Sequence, residues 1–213
     1  NLFYRGLVLL QPVFIGDTLT TTTRVVGLRQ NKLRPGRAAS GMVALEIDVK
    51  NQRHETVMHF WRCPMIPCRD ESIDTGHTDD FSFMPEELPL SALEDAVPNW
   101  DYHQYRKLTS GIFFSDLTEG SSIEVEAKDT VTLAPELVRM SMNMAMTHTD
   151  AGQSVYGKRL VYGGHTITMA AAQLLRVMPN MVSILGWYKC DHLAPVFEED
   201  VLQSRVTIER LTT

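Results

Sequence analysis

The chain has 213 residues, 44% of them apolar and 22% charged, with a formal net charge of −6, enough to bury a core in one larger domain or two small ones. No apolar run approaches the roughly 20 residues that cross a bilayer, and no basic stripe interleaved with aromatics suits a nucleic acid, so neither partner is expected. Cys63, Cys68 and Cys190 are odd in number and irregularly spaced, which argues for free thiols, no bound metal and a cytoplasmic location.

In chain order, NLFYRGLVLL, DTLTTTTRVVGL, SGMVALEIDVKN and ETVMHFWRCPMI are rich in Val, Thr, Leu and aromatics and are separated by turn material. Val43, Leu45, Ile47 and Val49 alternate, which predicts a half-buried antiparallel sheet over residues 1–67. Residues 68–99 then hold nine acids and one Arg, a charge of −8. With Pro85, Pro89 and Pro98 and no sustained period, this stretch reads as a solvated acidic linker.

Beyond it, residues 100–213 form a second unit. GSSIEVEAKDTVTL predicts a strand, and LAPELVRMSMNMAMTH a helix with Leu133, Leu137, Met140 and Met144 as its apolar stripe and Thr132 as its N-cap. HTITMAAAQLLRVM predicts a long central helix, about 164–178, with Ile167, Ala171, Leu174, Leu175 and Met178 on one face and Pro179 as its stop. Strands resume in NMVSILGWYKCDHLAPVF and VLQSRVTIERL.

The phrase PVFIGDTL, beginning at Pro12, recurs as PVFEEDVL, beginning at Pro195, with proline, two apolar residues, Asp and Leu at matching positions. An internal repeat of this kind marks a duplicated structural unit. Asp17 and Asp200 read as turn formers within it. Strand, helix and loop precede the second copy and strands follow the first, so both units are expected to be incomplete in this chain, as in a segment of a longer protein.

FFSDLTEGSSIE, NMAMTHTD, RLVYGGHTIT and the two PVFxxDxL phrases, in this order, resemble the MaoC-like family of (R)-specific enoyl-CoA hydratases and 3-hydroxyacyl-CoA dehydratases. YGGH before a helix is similar in particular to the mesaconyl-CoA hydratase (β-methylmalyl-CoA dehydratase) branch. The resemblance implies an α+β fold, a double hot-dog, in which an antiparallel sheet wraps a central helix. It also implies reversible addition of water to the C2=C3 bond of an enoyl-CoA thioester, with no cofactor beyond the CoA ester, and pairing of hot-dog units as a homo-oligomer or pseudo-dimer.

The family's Asp-x-Asn-Pro-x-His motif falls on Asn143 to His148, so His148 matches the catalytic His and Asn143 stands where the Asp belongs. An amide cannot accept a proton, so the resemblance implies His148 as the sole acid/base and Asn143 as a non-titrating water holder. Five residues along a continuous helix point about 140° apart, so the two converge only if the helix breaks near Met146 or Thr147. On spacing alone, His148 reads rather as a residue ending a helix, and the family context reverses that preference.

Gly163 and Gly164, at the start of the long helix, suit close approach of a thioester oxygen to free N–H groups. Gly164 is the candidate oxyanion donor, with Gly163 and His165 adjacent. Lys158 and Arg159 are candidates for a CoA phosphate, or members of a solvated loop. Asp150 either orients His148 or starts a turn. Met140, Met142, Met144 and Met146 read as core, and His192 as a satisfied strand residue. Two other classes compete: a catalytically inactive acyl-CoA-binding hot-dog protein, favoured by Asn143, and a hot-dog thioesterase, disfavoured because the long helix offers no carboxylate.

Overall fold

The computed structural model describes residues 2–143 and 145–212, which form two compact units. One runs to Trp100 and includes Ser183–His192; the other comprises Asp101–Val182 and the residues from Leu193 onward. In chain order the elements are strands β1 (Phe3–Leu9), β2 (Thr20–Gln30), β3 (Ser40–Lys50), β4 (Thr56–Cys63) and β5 (Met65–Pro67), and helices α1 (Leu90–Asp95) and α2 (Tyr102–Leu108). They continue with β6 (Ser122–Glu124), β7 (Asp129–Thr130), α3 (Ala134–Met140), α4 (Gly163–Val177), β8 (Gly186–Asp191), β9 (Val201–Leu202) and β10 (Arg205–Thr207).

The first unit is an antiparallel sheet in the order β2-β3-β4-β1-β8, with β5 paired to β3. Its faces follow the two-residue period of β3. Ile47 and Val49 are buried with Val57 on one face, while Ala44 is buried with Cys63, Phe81 and Met84 on the other. The sheet is therefore covered on a second face that alternation alone left to solvent.

That second cover corrects the reading of residues 68–99 as a solvated linker. Phe81 and Met84 are apolar anchors inside the acidic run, and both are buried. Gly27 makes room for the first: a Cβ there would stand 2.9 Å from Phe81 Cε1. The Arg29 guanidinium lies 4.5 Å from the centre of the Phe81 ring, and Asp79 N–H donates to Leu28 O at 3.0 Å. Two apolar residues and a few backbone bonds hold down a strap whose acids stay in water.

β8 lies in the first unit, not the second, because it pairs with β1 from Phe3↔Asp191 to Val8↔Gly186. The ion pair of Arg5 with Asp191, at 2.8 Å, closes the end of that ladder. His192, expected to be satisfied, keeps a buried Nε2 without a hydrogen-bond partner among the described residues. Burial lowers its pKa from the usual histidine value. His59, for which the sequence showed no partner, lies 3.3 Å from a Glu46 carboxylate oxygen.

The second unit has two short ladders, β6 with β10 and β7 with β9, so the two strands expected in this region are each broken into two pieces. Val131, Ala134 and Val161 form its buried cluster, with Met169 of α4 and Val196 packed on it. α4 is tied down by Gln173, which is 1% exposed. Its Nε2 donates to Asp129 Oδ2 at 2.7 Å and to Leu202 O at 3.1 Å. Arg176 completes the tie with a two-pronged grip on the same carboxylate, both bonds at 2.7 Å.

α3 departs from its expected stripe. It buries Ala134, Pro135 and Val138, while Leu133 and Met140 are exposed, and Leu133, in the left-handed region, takes the N-cap place predicted for Thr132. Met142 and Met146 are likewise exposed rather than core, and Met144 lies outside the described residues.

The repeated phrase is a hydrogen-bonded corner in both copies. Phe14 N–H donates to Asp17 Oδ2 at 2.9 Å, and Asp17 N–H to Phe14 O at 3.0 Å. Phe197 and Asp200 repeat this at 2.8 and 3.2 Å. Phe113 and Asp116 form a third instance, both bonds at 2.9 Å. Asp17 and Asp200 are turn formers, because one carboxylate satisfies the N–H that the tight turn leaves unpaired.

Replacing Phe81 by Ala is expected to cost about 3 kcal/mol of stability in urea unfolding and to expose residues 68–80 to protease; an unchanged midpoint contradicts the docked strap. The Asp129 carboxyl is held below its ordinary 3.8 by hydrogen bonds from Arg176 first and Gln173 second. Its stabilising effect is therefore complete above 3.8 and is lost as pH falls through the lower folded value. Thermal melts of Asp129→Asn should fall below wild type at pH 7, with the gap closing as the pH drops below 3.8.

Candidate active site

The site is built from the two loops that flank the 3-10 turn Met146–His148 and the start of α4. α3 ends in a left-handed C-terminal motif: Met142 takes φ +51°, its N–H donates to Arg139 O at 3.2 Å, and Asn143 N–H donates to Val138 O at 3.0 Å. The helix break thus falls at Ser141–Met142, ahead of the Met146–Thr147 position that the spacing required. Asn143 Oδ1 then accepts Ala145 N–H at 3.1 Å, a side-chain turn that redirects the chain into the 3-10 turn.

His148 is fixed through its Nδ1, which lies 2.6 Å from Leu160 O. A carbonyl oxygen only accepts, so Nδ1 is the donor, and the neutral ring carries its lone pair on Nε2. The same residue is also held through its other backbone group, since Leu160 N–H donates to Thr147 O at 3.0 Å. His148 is therefore clipped to a neighbouring strand segment rather than capping a helix end.

That segment leads directly into α4. Leu160 bridges Phe197, Val161 N–H donates to Val196 O at 2.8 Å, and α4 begins two residues later at Gly163. His165 N–H turns back to Tyr162 O at 2.8 Å. The Gly163 and Gly164 N–H groups have no intrahelical acceptor and carry the positive end of a 15-residue helix dipole. Thr166 and Thr168 donate their hydroxyls to Gly163 O and Gly164 O, each at 2.8 Å. His165 keeps a buried Nδ1 with no hydrogen-bond partner among the described residues.

The remaining sequence candidates separate. Arg159 is ion-paired with Glu198, and hydrogen bonding to that carboxylate raises its pKa above the ordinary guanidinium value. Its charge is already committed, which weakens it as a phosphate ligand. Lys158 Nζ lies 5.7 Å from the centre of the Phe197 ring and is exposed. Asp150 is a turn former: its Oδ1 accepts Gly152 N–H at 2.9 Å, and Leu160 O does the orienting of His148. Among the described residues no hydrogen bond joins the Asn143 and His148 side chains.

Sequence reading missed two contributors, the Leu160 carbonyl and the Tyr162 ring, which lies 5.9 Å from the His148 ring, centre to centre. A backbone acceptor leaves no trace in side-chain patterns. Tyr162 stood in the quoted YGGH and was passed over for the glycines. Nitrogen-15 spectra of His148 in the neutral form should show the proton on Nδ1; a dominant Nε2–H form overturns the assigned tautomer.

No protein-family model matches the chain. It is 29% identical over 210 residues to the protein named β-methylmalyl-CoA dehydratase of Chloroflexus aurantiacus, covering 95% of this chain and 58% of that one. It is 29% identical over 210 residues to the mesaconyl-CoA hydratase of Cereibacter sphaeroides, covering 96% and 59%. The chain thus spans less than three fifths of the curated relatives it matches. Among solved structures, a Mycobacterium tuberculosis protein described as a double hot-dog matches with a TM-score of 0.84 at 40% identity, covering 98% of this chain and 62% of that one. A protein described as a MaoC-domain dehydratase of Chloroflexus aurantiacus matches with a TM-score of 0.81 at 28% identity, covering 96% and 59%. The chain has the double hot-dog fold and is a homologue, over nearly all of its length, of proteins named β-methylmalyl-CoA dehydratase and mesaconyl-CoA hydratase, as its motifs led one to expect.

Proposed function

We propose that the chain belongs to a hydro-lyase that reversibly adds water across the C2=C3 bond of an enoyl-CoA thioester. The observation that carries this reading is the Nδ1 bond of His148 to Leu160 O, which leaves Nε2 as a base in a loop joined by backbone bonds to the start of α4.

During hydration His148 Nε2 takes a proton from water as the oxygen bonds to C3. The π electrons move through C2 toward the thioester oxygen, where the Gly164 N–H and the α4 dipole stabilise the growing negative charge. The imidazolium then gives the proton to C2, completing H and OH addition; dehydration runs the same steps backwards. Because Asn143 Oδ1 is occupied by Ala145 N–H, the Asn143 amide N–H is the group left to hold the water. Addition of water changes no net oxidation state, so the reaction calls for no redox cofactor; in this reading the imidazole and the helix-start N–H groups carry the acid/base and electrostatic work. Gly163 and His165 line the thioester cradle, and Lys158 faces the CoA phosphates. Arg159 and Asp150 act at one remove, through Glu198 and the Gly152 turn.

We place the protein in the cytoplasm, in keeping with its free cysteines, as a homo-oligomer or pseudo-dimer of hot-dog units.

The test is turnover of a panel of trans-2-enoyl-CoAs, including crotonyl-CoA and mesaconyl-CoA, by the full-length protein. His148→Ala should lower kcat by about 10³ with binding retained. Binding of CoA esters without turnover of any of them supports instead the inactive acyl-CoA-binding protein, and a rate gain in Asn143→Asp then marks a decayed site.

A further inference from the structure

Tyr162 is the N-cap residue of α4, and its side chain folds back over the helix start. A Cβ built on Gly164 would lie 2.5, 2.6 and 2.7 Å from Tyr162 Cε1, Cζ and Oη. No side chain fits at 164 while the phenol holds that seat. The absence of a Cβ at Gly164 is therefore used by Tyr162, not only by an incoming ligand. The same ring meets His148 edge-on, with an interplanar angle of 63°. One aromatic side chain thus touches both halves of the site: the imidazole that carries the lone pair and the glycine whose N–H is the oxyanion donor.

We infer, resting on the hydratase reading above, that Tyr162 is a positioning residue of the site with two separable contributions. Its ring, packed on Gly164, meets the His148 ring and restrains its plane. An imidazole held by one hydrogen bond at Nδ1 still pivots about that bond; an aromatic ring packed against it at 63° removes the pivot and keeps Nε2 aimed. The hydroxyl, standing over the α4 start, adds an O–H donor beside the Gly164 N–H, where charge builds on the thioester oxygen. Tyr162 takes no proton in the reaction; it sets the aim of the base and adds to the polarity of the cradle.

The experiment compares Tyr162→Phe, Tyr162→Ala, Gly164→Ala and the Tyr162→Ala/Gly164→Ala pair in the full-length protein. Two readouts are taken. The first is the His148 ring signal in protein labelled with [13Cε1]histidine and assigned by its loss in His148→Gln. The second is kcat and KM on the best enoyl-CoA, as a function of pH.

Removing the ring in Tyr162→Ala should shift the His148 signal, because the ring current is lost. Gly164→Ala should shift it in the same direction, because the methyl expels the ring, and the pair should lose little beyond either single change, as groups acting as a unit do. Tyr162→Phe should keep the signal, and with it the base limb of the pH profile, while lowering kcat about tenfold with KM within about twofold, as loss of a donor felt mainly in the transition state does. A His148 signal unmoved in Tyr162→Ala overturns the ring contact, and wild-type kcat in Tyr162→Phe overturns the hydroxyl's part. An inactive wild type whose His148 signal still shifts upholds the contact and overturns the hydratase reading, so the two failures are distinct.

Discussion

The candidate site depends on the backbone of one residue, Leu160. Its N–H is given to Thr147 O and its carbonyl receives His148 Nδ1. Both backbone polar groups of a single residue are thereby spent on the loop that carries His148. Leu160 is itself held by its bridge to Phe197, and Val161 by Val196. The corner that shapes Phe197 is closed by Asp200. A chain of short-range bonds runs from the repeated phrase, through residues 160 and 161, to the imidazole. The duplication therefore bears on the candidate site: it makes the corner against which His148 is set.

The same economy appears in the use of glycine against aromatic rings. Gly27 admits Phe81, and Gly164 admits Tyr162. In each case a missing Cβ lets a ring from a nearby segment lie on the backbone. The first pins an acidic strap to a sheet; the second brings a phenol over a helix start. A large planar side chain gives much contact area for few frozen torsions, which suits it to hold a segment in which most other residues favour water. Burial of Gln173 with the Asp129–Arg176 pair serves α4 in another way, by tying its middle to the β7–β9 ladder so that its first turn stays where the 160–162 segment delivers it.

Much of this architecture was legible in the chain. The strands β1 to β4 follow from β-branched and aromatic runs between turn residues, and α4 follows from its spacing and its terminal proline. The corner role of Asp17 and Asp200 follows from their repetition. Other parts were hidden for physical reasons. The acidic strap reads as solvated because charge dominates its composition, yet two apolar side chains suffice to dock it once Gly27 leaves room. The stripe of α3 fails because the helix stops at Met140, before its period is established, so propensity yields to a left-handed residue that no local rule requires of methionine. β8 joins the first sheet through pairing between residues almost two hundred positions apart, and no local pattern reports a partner at that range.

For the site, the residue types, and above all a lone histidine followed by a glycine pair before a long helix, were determined by the sequence itself, because acid/base capacity and the freedom of a missing Cβ are properties of single residues. Their working states were decided only by the tertiary structure. Which nitrogen of His148 carries the proton depends on a carbonyl twelve residues away. Whether Arg159 is available depends on Glu198 across the loop, and what the space above Gly164 holds depends on the rotamer of Tyr162. Hydrogen bonds and steric fit act between atoms brought together in space, so they exist only once the chain has folded.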